Sequence, residues 1–489
     1  MGEGTSVATA EGPCTLLKDE GNQLMQAGNF HSAAAVYSRA ISLAKASANP
    51  QPDMAVLYCN RSAAHMGLGH FFAAMLDAKF AIELDQKMVK AYYRLTQAQL
   101  HLGRFKAAVM SARAGERLLN VKASRTTDFS MLLDQVAAAG ALQGDYAAFD
   151  GRALQVRSAG EDAWLGKPAP EDPTLDGPQP HTPLQLKCNE QCTDLDKHKT
   201  DPPQSMPLAT TGVQRVSFRS VKEAVEAAQD GDQIILLPGI HNGMGETINI
   251  TNRILLRGSG QLGDSKIDQR ANSPTFRITR SAVIMNIEVD MTGFREAVLI
   301  TGTDRVSPVL QNCSISCSGD DAVHVSSKAR PTLQQCNISG KKCGLIVSGS
   351  SKIKLVRCNI SVCGQQACKA MDSASVQMTR CLLGKHEEEC IVGMGTSNVD
   401  LADCHMHSSQ GPAVDVSGKA RLSMSRGSIK ECVGGVWMWD NSVCELVDVN
   451  LHGGTSHAIV TDNKAKIKLV VSSAFSTPHT SHYTCTKDT

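Results

Sequence analysis

The sequence predicts a multidomain α plus β protein, in which an all-α superhelix of helical hairpins is followed by a linker and a parallel β-helix. Glycines recur at a regular interval in the first quarter of the chain, nine of the 18 prolines lie between Pro168 and Pro207, and cysteines recur at a shorter regular interval from Cys313 to Cys404. We predict a disordered N-terminus at 1–13, three helical repeats at 14–122, a capping and solvating helix at 123–150, a Pro-rich linker at 151–212, the β-helix at 213–476 and a C-terminal tail at 477–489.

Composition excludes several classes of function. The formal net charge is +1, so the chain as a whole carries no signal for nucleic-acid binding. No apolar run reaches the ~18 residues that a membrane helix needs, and the N-terminus lacks a basic and then apolar targeting segment. We therefore expect no membrane partner, a cytoplasmic or nuclear location, and 17 cysteines that remain reduced.

The first repeats are helical hairpins. Gly28, Gly69 and Gly103 each come two residues before a phenylalanine, and alanines follow each glycine at an offset of five. The interval between the second and third glycines is 34, and the insert "SANPQPD" lengthens the first interval to 41. A 34-residue period with small residues at helix crossings is typical of tetratricopeptide repeats (TPRs). Three such hairpins should stack into a superhelix whose groove is lined by each first helix.

Five polar residues fall on the first helices in this register, and they would supply amide and cationic donors to a carboxylate. The stretches "KDEGN", "LYCNRSAA" and "KAYYR" resemble the carboxylate-clamp TPR co-chaperones, such as the Hsp-organising protein. The resemblance implies that the groove grips the free C-terminal Glu-Glu-Val-Asp peptide of heat-shock chaperones. Binding of an internal peptide remains the alternative. The clamp positions are Lys18, Asn22, Asn60, Lys90 and Arg94.

The second half reads as short strands separated by Gly, Ser, Asn and Asp, and a period of 22–23 residues fits one turn of a parallel β-helix. The cysteines of this period should stack as an interior ladder. The segment "AVEAAQDGDQIILLPGIH" and the turns after it resemble the right-handed β-helix group, which includes pectin-degrading enzymes, sugar-binding modules and intracellular F-box or adaptor proteins. The segment's helix would cap one end of the β-helix. We expect the β-helix to present a surface to a second, unidentified protein.

Enzymatic residues are few. Asp320 and Asp321 in "SGDDAVHV" match one motif of the polygalacturonases, but the other motifs of that family are missing, so these residues are weak catalytic candidates and better explained as turn aspartates. Register at an offset of 23 predicts that Trp437 and Trp439 point into the core, although a sugar-stacking platform is the alternative. We predict a non-enzymatic adaptor without cofactor or metal; a carbohydrate-binding or carbohydrate-active β-helix is the second hypothesis. Two further motifs are interpreted as exposed polar residues (His405, His407) and as incidental thiols (Cys188, Cys192).

Overall fold

The computed structural model describes residues 13–46, 54–119, 126–158, 216–243, 245–452, 456–462 and 464–470. The predicted N-terminal and C-terminal tails, apart from Pro13, lie outside the described residues, as do Cys188 and Cys192. Eight described helices have these bounds: α1 (Pro13–Gln26), α2 (Phe30–Ala46), α3 (Met54–Gly67), α4 (Phe71–Leu84), α5 (Val89–His101), α6 (Phe105–Leu118), α7 (Thr126–Ala141) and α8 (Val221–Ala227).

The first six helices form the three predicted hairpins, α1–α2, α3–α4 and α5–α6. Each hairpin turns on a glycine in the left-handed region, with φ of 74° at Gly28, 73° at Gly69 and 69° at Gly103. A side chain at these positions would be strained, so the glycine lets the first helix end and the second begin after a very short turn. Alanines such as Ala33, Ala74 and Ala108 are fully buried where the helices cross.

The strands are short and follow one another along the chain. The first eleven are β1 (Ala153–Val156), β2 (Val216–Phe218), β3 (Gln233–Leu236), β4 (Gly239–Asn242), β5 (Ile248–Ile250), β6 (Leu255–Gly258), β7 (Ser265–Arg270), β8 (Phe276–Ile278), β9 (Val283–Met285), β10 (Glu288–Thr292) and β11 (Val298–Ile300). The next eleven are β12 (Val309–Gln311), β13 (Ser314–Cys317), β14 (Val323–Val325), β15 (Thr332–Gln334), β16 (Asn337–Gly340), β17 (Leu345–Val347), β18 (Lys352–Val356), β19 (Asn359–Ser361), β20 (Cys368–Ala370), β21 (Ser375–Thr379) and β22 (Leu382–Gly384). The last eleven are β23 (Ile391–Gly393), β24 (Asn398–Ala402), β25 (His405–His407), β26 (Pro412–Val416), β27 (Arg421–Ser425), β28 (Ser428–Lys430), β29 (Gly434–Met438), β30 (Val443–Val447), β31 (Asn450–His452), β32 (Ile459–Thr461) and β33 (Lys466–Val470).

Every third strand from β3 onward belongs to the same sheet, so the chain winds through three parallel sheets of 13, 10 and 10 strands. Sheet A has the order β2-β1-β3-β6 and continues in steps of three to β33, sheet B runs from β4 to β31, and sheet C runs from β5 to β32. Strand residues alternate between the interior and the surface, and one continuous apolar core extends from Leu154 to Leu446. The predicted parallel β-helix is therefore confirmed.

The predicted cysteine ladder lies inside this core. Cys313, Cys336, Cys358, Cys381 and Cys404 are each at most 2% exposed and free of disulfides. The residue before each cysteine adopts a positive φ of 49–55°, which turns the chain sharply at the end of the sheet A strand. The thiols donate to backbone carbonyls of their own and the preceding turn, for example Cys336 Sγ to Leu310 O at 3.4 Å.

The predicted linker at 151–212 differs from the structure at its start. Residues 153–156 form β1, which lies between β2 and β3 and pairs with both in parallel. Leu154 and Val156 are fully buried, so β1 belongs to the first turn of the β-helix. The Pro-rich stretch therefore connects two neighbouring strands of one sheet. Strand β1 has only four residues and no repeating pattern beside it in the sequence, so it could not be predicted.

The prediction that the capping helix faces solvent is also wrong, because α7 is buried on two sides. Phe129, Leu133 and Val136 of α7 share one apolar cluster with Phe105 of α6 and with the outward-facing Val283 of sheet A. The helix must be apolar on both faces, since it joins the hairpin array to the side of the β-helix. Polar contacts reinforce the same junction: Asp134 lies 3.3 Å from Arg253 Nη1 and 3.2 Å from Arg280 Nε, and it is 7% exposed.

Helix α8 begins at an N-cap serine, Ser220, whose Oγ accepts the backbone N–H of Glu223 at 3.1 Å. It packs on β1, β2, β3 and β5 at the first turn, in the predicted place at the end of the β-helix. A screen of the helices in the described ranges finds none with the length and apolarity required to cross a bilayer.

Candidate peptide-binding site

The structure brings two of the predicted groove residues into direct contact. Asn60 Nδ2 on α3 donates to Asn22 Oδ1 on α1 at 3.0 Å, and the hydroxyl of Tyr37 on α2 donates to the same oxygen at 2.8 Å. The carbonyl of Asn22 is thus occupied by two donors. Its own Nδ2 group donates to no other group in the described part of the chain, so it is available to an acceptor in the groove.

Tyr37 is the residue that sequence reasoning missed. Its ring is fully buried against Gly21, where an added Cβ would lie only 2.4 Å from the ring. Burial raises the pKa of Tyr37 to about 12, although the contact with Asn60 lowers it, so the hydroxyl remains a donor at neutral pH. The signal was Gly21 itself: a glycine inside a helix lowers stability and usually indicates close packing.

The two cations of the third hairpin lie one turn apart on α5, with Lys90 exposed and Arg94 half-buried. Their charges reach α3: burial raises the pKa of the Cys59 thiol, while Arg94 and then Lys90 lower it. Cys59 directly precedes Asn60 on α3, so the cations lie close to this part of α3. Neither cation has an ion-pair partner among the residues that the structure describes. Lys18, on α1, is half-buried.

A partly buried ion pair fixes the middle hairpin behind this groove. Arg61 donates from Nε to Asp77 Oδ2 at 2.8 Å and from Nη2 to Asp77 Oδ1 at 2.7 Å, and its Nη1 donates to Ser38 Oγ at 3.0 Å. The bidentate contact joins α3 to α4, and the serine contact joins α3 to α2. Because Arg61 comes directly after Asn60, this network also limits how far Asn60 can move.

Comparison with known proteins gives separate matches for the two halves. Human serine/threonine-protein phosphatase 5 is 38% identical over 93 residues, which cover 19% of this chain and 17% of the relative. The STIP1 homologue of Dictyostelium discoideum is 38% identical over 104 residues, covering 21% of this chain and 17% of the relative. The family model described as "right handed beta helix region" matches residues 296–451.

Solved structures divide in the same way. The TPR2B domain of yeast Sti1, solved in complex with pHsp70, is 25% identical with a TM-score of 0.23 and covers 25% of this chain and 95% of its own. The A-module of the Azotobacter vinelandii mannuronan C-5 epimerase AlgE4 is 11% identical with a TM-score of 0.40 and covers 51% of this chain and 88% of its own.

The chain thus combines a co-chaperone-like TPR domain with a right-handed β-helix. The match to these curated relatives spans less than a fifth of their length, so it describes the TPR domain and carries no information about the β-helix.

On the β-helix, the weak catalytic candidates are engaged in turn contacts. Asp321 Oδ1 accepts the backbone N–H of Cys343 at 2.9 Å, and Asp320 Oδ1 lies 2.8 Å from Lys342 Nζ. Burial raises the pKa of Asp321, and its neighbour Asp320 raises it further. Both carboxylates bridge one turn of the β-helix to the next.

The prediction that both tryptophans point into the core is wrong. Trp437 pairs with Asp415, and it is the only residue of β29 that is not buried, between the buried Val436 and Met438. The offset at this turn is 22 instead of 23, and a slip of one residue exchanges the two faces of a strand. Trp437 is half-buried, Trp439 is 36% exposed, and their rings are perpendicular with centroids 6.4 Å apart.

The tryptophans lie beside two carboxylates. Burial raises the pKa of Asp415, and the charge of Glu389 raises it further, whereas Trp439 acts in the opposite direction. Glu389 Oε2 accepts from Gln366 Nε2 at 2.9 Å. Within the described ranges, no Lys or Arg forms an ion pair with Asp415 or Glu389.

The remaining candidates have modest surroundings. His405 is exposed and its Nδ1 lies 2.8 Å from Ser428 Oγ, while His407 is half-buried with Nδ1 3.3 Å from Ser408 Oγ. In the parts of the chain that the structure describes, no three His, Cys, Asp or Glu side chains come together in a way that would hold a metal ion.

Proposed function

We propose that the TPR groove binds the acidic C-terminal peptide of heat-shock chaperones, which ends in Glu-Glu-Val-Asp with a free carboxylate. The observation that carries the proposal is the contact between Asn22 and Asn60, which holds amide donors from the first helices of two hairpins side by side. The charges of Arg94 and Lys90 on α5 lower the pKa of Cys59 on α3, the helix that carries Asn60. The resemblance of all five positions to a carboxylate clamp, and the STIP1 homologue among the relatives, support the same ligand.

The chemistry of binding follows from these donors. The terminal carboxylate would accept hydrogen bonds from the amide N–H groups of Asn22 and Asn60, and Lys18, Lys90 and Arg94 would add charge-assisted bonds to the acidic side chains. Part of the affinity is then electrostatic, so it should fall as ionic strength rises. The hydrogen bonds of the groove already hold the two asparagines in place before the peptide binds, which reduces the entropy lost on binding.

The test is calorimetry with the full chain and a peptide ending in Glu-Glu-Val-Asp. We expect Lys90→Ala/Arg94→Ala to weaken binding at least about 30-fold, since the loss of a charged hydrogen bond costs about 1.5–3 kcal/mol. Lys106→Ala, which removes an exposed cation from α6, is the matched control and should bind like the wild type. Equal binding of the amidated peptide would overturn the proposal in favour of an internal-peptide groove.

The TPR domain supports a protein-binding adaptor, and we propose that the β-helix presents the second protein surface of this adaptor. The adaptor would be non-enzymatic and would work in the cytoplasm or the nucleus, where its chaperone ligand and reduced cysteines are found together. Fractionation of cells that express the tagged chain tests the location; recovery in the secreted fraction would contradict it.

A second candidate function is carbohydrate binding on sheet C, and the outward position of Trp437 and Trp439 favours it. An added Cβ on Gly434 would lie 2.7 Å from Trp437 Nε1, so this indole lies along the sheet surface above the glycine. Aromatic faces beside carboxylates suit the apolar face and the hydroxyls of a sugar ring. We expect a glycan array to show binding that is lost in Trp437→Ala/Trp439→Ala and retained in Asp320→Asn/Asp321→Asn. An array with no ligand for the wild type would remove this candidate.

A further inference from the structure

Helix α4 carries a row of large apolar side chains on its outer surface. Phe72, Leu76, Phe80 and Leu84 are four residues apart and are 54%, 39%, 46% and 52% exposed. The opposite side of the helix packs into the array: Ala74, Met75, Ala78 and Ala81 are buried there, together with Asp77, which pairs with Arg61. A contiguous row of large exposed apolar side chains commonly marks a surface that another molecule covers. We call the four exposed residues the α4 ridge.

Contacts with neighbouring helices hold two rings of the α4 ridge in place. The ring of Phe80 lies against that of Tyr58, with centroids 5.4 Å apart, and the guanidinium of Arg104 lies 6.0 Å from the centroid of Phe72. Leu43 on α2 and Met110 on α6 are also exposed, 41% and 67%, on the second helices of the adjacent hairpins. The first helices line the groove, so this apolar surface is separate from the proposed peptide site.

The geometry of the α4 ridge suits a second copy of itself. Side chains at i, i+4, i+8 and i+12 form the ridge used in the commonest helix packing, where two such ridges interdigitate at a crossing angle of about −50°. A two-fold axis brings the same surface of each subunit together with the helices running in opposite directions. Phe80 of each copy would then pack between Phe80 and Leu84 of the other.

Charges along the α4 ridge are complementary in the same arrangement. Lys79 and Glu83 are exposed, lie one helical turn apart on the same edge of the ridge, and form no ion pair in the described residues. A two-fold axis that passes between them places Lys79 of one copy opposite Glu83 of the other, twice per pair of subunits. The edge is therefore complementary in charge to a second copy of itself.

We propose that the chain forms a two-fold homodimer through the α4 ridge, with Lys79 of each subunit paired to Glu83 of the other. The two TPR grooves then face away from the interface, so the dimer offers two peptide sites. A bivalent adaptor gains avidity for partners that present two tails, without any new contact to either tail.

Sedimentation velocity of the full chain over a range of concentrations tests the proposal. The wild type should be a dimer at micromolar concentration, and Phe80→Asp should raise the dissociation constant at least about 100-fold, because it places a charge at the centre of the interface. Phe294→Asp is the matched control, since Phe294 is 77% exposed on the β-helix, and it should leave the dimer intact. A wild type that remains monomeric up to about 100 μM would overturn the proposal.

A charge exchange tests the symmetry and does not depend on the stability of Phe80→Asp. Lys79→Glu should weaken the dimer about tenfold, because like charges then meet at both symmetry-related pairs of the interface. Lys79→Glu/Glu83→Lys should restore it, since each new glutamate faces a new lysine. Failure of the double variant to restore the dimer would overturn the two-fold arrangement. Unchanged affinity for the chaperone peptide in all variants would show that the fold and the groove are intact.

Discussion

His386 occupies an unusual position inside the β-helix. It is 1% exposed, and neither ring nitrogen has a hydrogen-bond partner in the described residues. It stands in an interior column, with Cys363 one turn before it and Ser409 one turn after it at equal spacing along the chain. Burial and, to a smaller extent, the charge of His407 lower the pKa of His386 to about 4. The folded protein therefore keeps this imidazole neutral at neutral pH.

Acid should destabilise the β-helix through His386. Between pH ~6.5 and ~4 the unfolded chain binds a proton at this histidine and the folded chain does not. The free energy of unfolding therefore decreases by about 3 kcal/mol as the pH is lowered through this range. His386→Leu should remove this part of the acid sensitivity. Urea unfolding at several pH values measures it, with the exposed His452→Gln as the control. Parallel stability profiles for the wild type and His386→Leu would contradict the prediction.

Gly21 controls the groove through Tyr37. Gly21→Ala improves helix propensity by up to about 1 kcal/mol, but its Cβ would overlap the buried ring, which costs about 1–3 kcal/mol. We expect a net loss of stability of about 1 kcal/mol and a loss of peptide affinity, because Tyr37 can no longer hold Asn22. Urea unfolding and calorimetry measure the two effects. Gln23→Ala, an exposed change on the same helix, should alter neither.

At the scale of the element, strand register limits which features of the fold can be predicted from the sequence. Repeat spacing predicted the hairpins, the β-helix and the buried cysteines, because each pattern recurs several times and an error of one residue is averaged out. The position of Trp437 depends on a single turn, and the shorter step there exchanged core for surface. The contacts of Asn22 with Tyr37 could not be predicted either, since they join side chains on different helices whose relative rotation the repeat does not specify.

Helix α7 joins the two domains through a buried charge. Asp134→Ala would leave Arg253, whose side chain is 6% exposed, without its carboxylate, and loss of one partner of a buried pair typically costs about 3–5 kcal/mol. We expect a loss of this size in urea unfolding, and less for Asp134→Asn, which keeps hydrogen-bond acceptors. Gln135→Ala, exposed on the same helix, is the control, and an equal effect of both alanine variants would contradict the role of the pair.

The same variant tests how the domains unfold. The helical signal in circular dichroism reports mainly the TPR domain, and the described tryptophans, Trp437 and Trp439, report the β-helix by fluorescence. In the wild type the two transitions should coincide, because one apolar cluster contains residues of α6, α7 and sheet A. In Asp134→Ala they should separate. Separate transitions in the wild type would show that α7 does not couple the domains.

In the whole molecule, the TPR array packs directly against the side of the β-helix. This arrangement follows from the position of β1 in the first turn. Because β1 lies between β2 and β3, the β-helix begins before the Pro-rich stretch, and the array connects to it through the eleven residues 142–152 after α7. Composition locates the Pro-rich stretch in the sequence but does not indicate its place in the fold. Its position depends on a pairing between strands that lie on either side of the whole stretch, from Val156 to Val216.

This topology predicts that the Pro-rich stretch is dispensable for folding. Val156 pairs with Phe218 in parallel, so a connection need only return along one short strand, a distance that about eight flexible residues can span. Replacing 159–215 by a Gly/Ser linker of that length should change the free energy of unfolding by less than about 2 kcal/mol, because loop-closure entropy varies slowly with length. Chaperone-peptide affinity should be unchanged, since the stretch lies outside the groove helices. Leu154→Asp, which places a charge in the fully buried centre of β1, is the contrasting variant and should abolish the cooperative transition of the β-helix. Loss of folding in the linker variant, with Leu154→Asp tolerated, would mean that β1 is not part of the first turn.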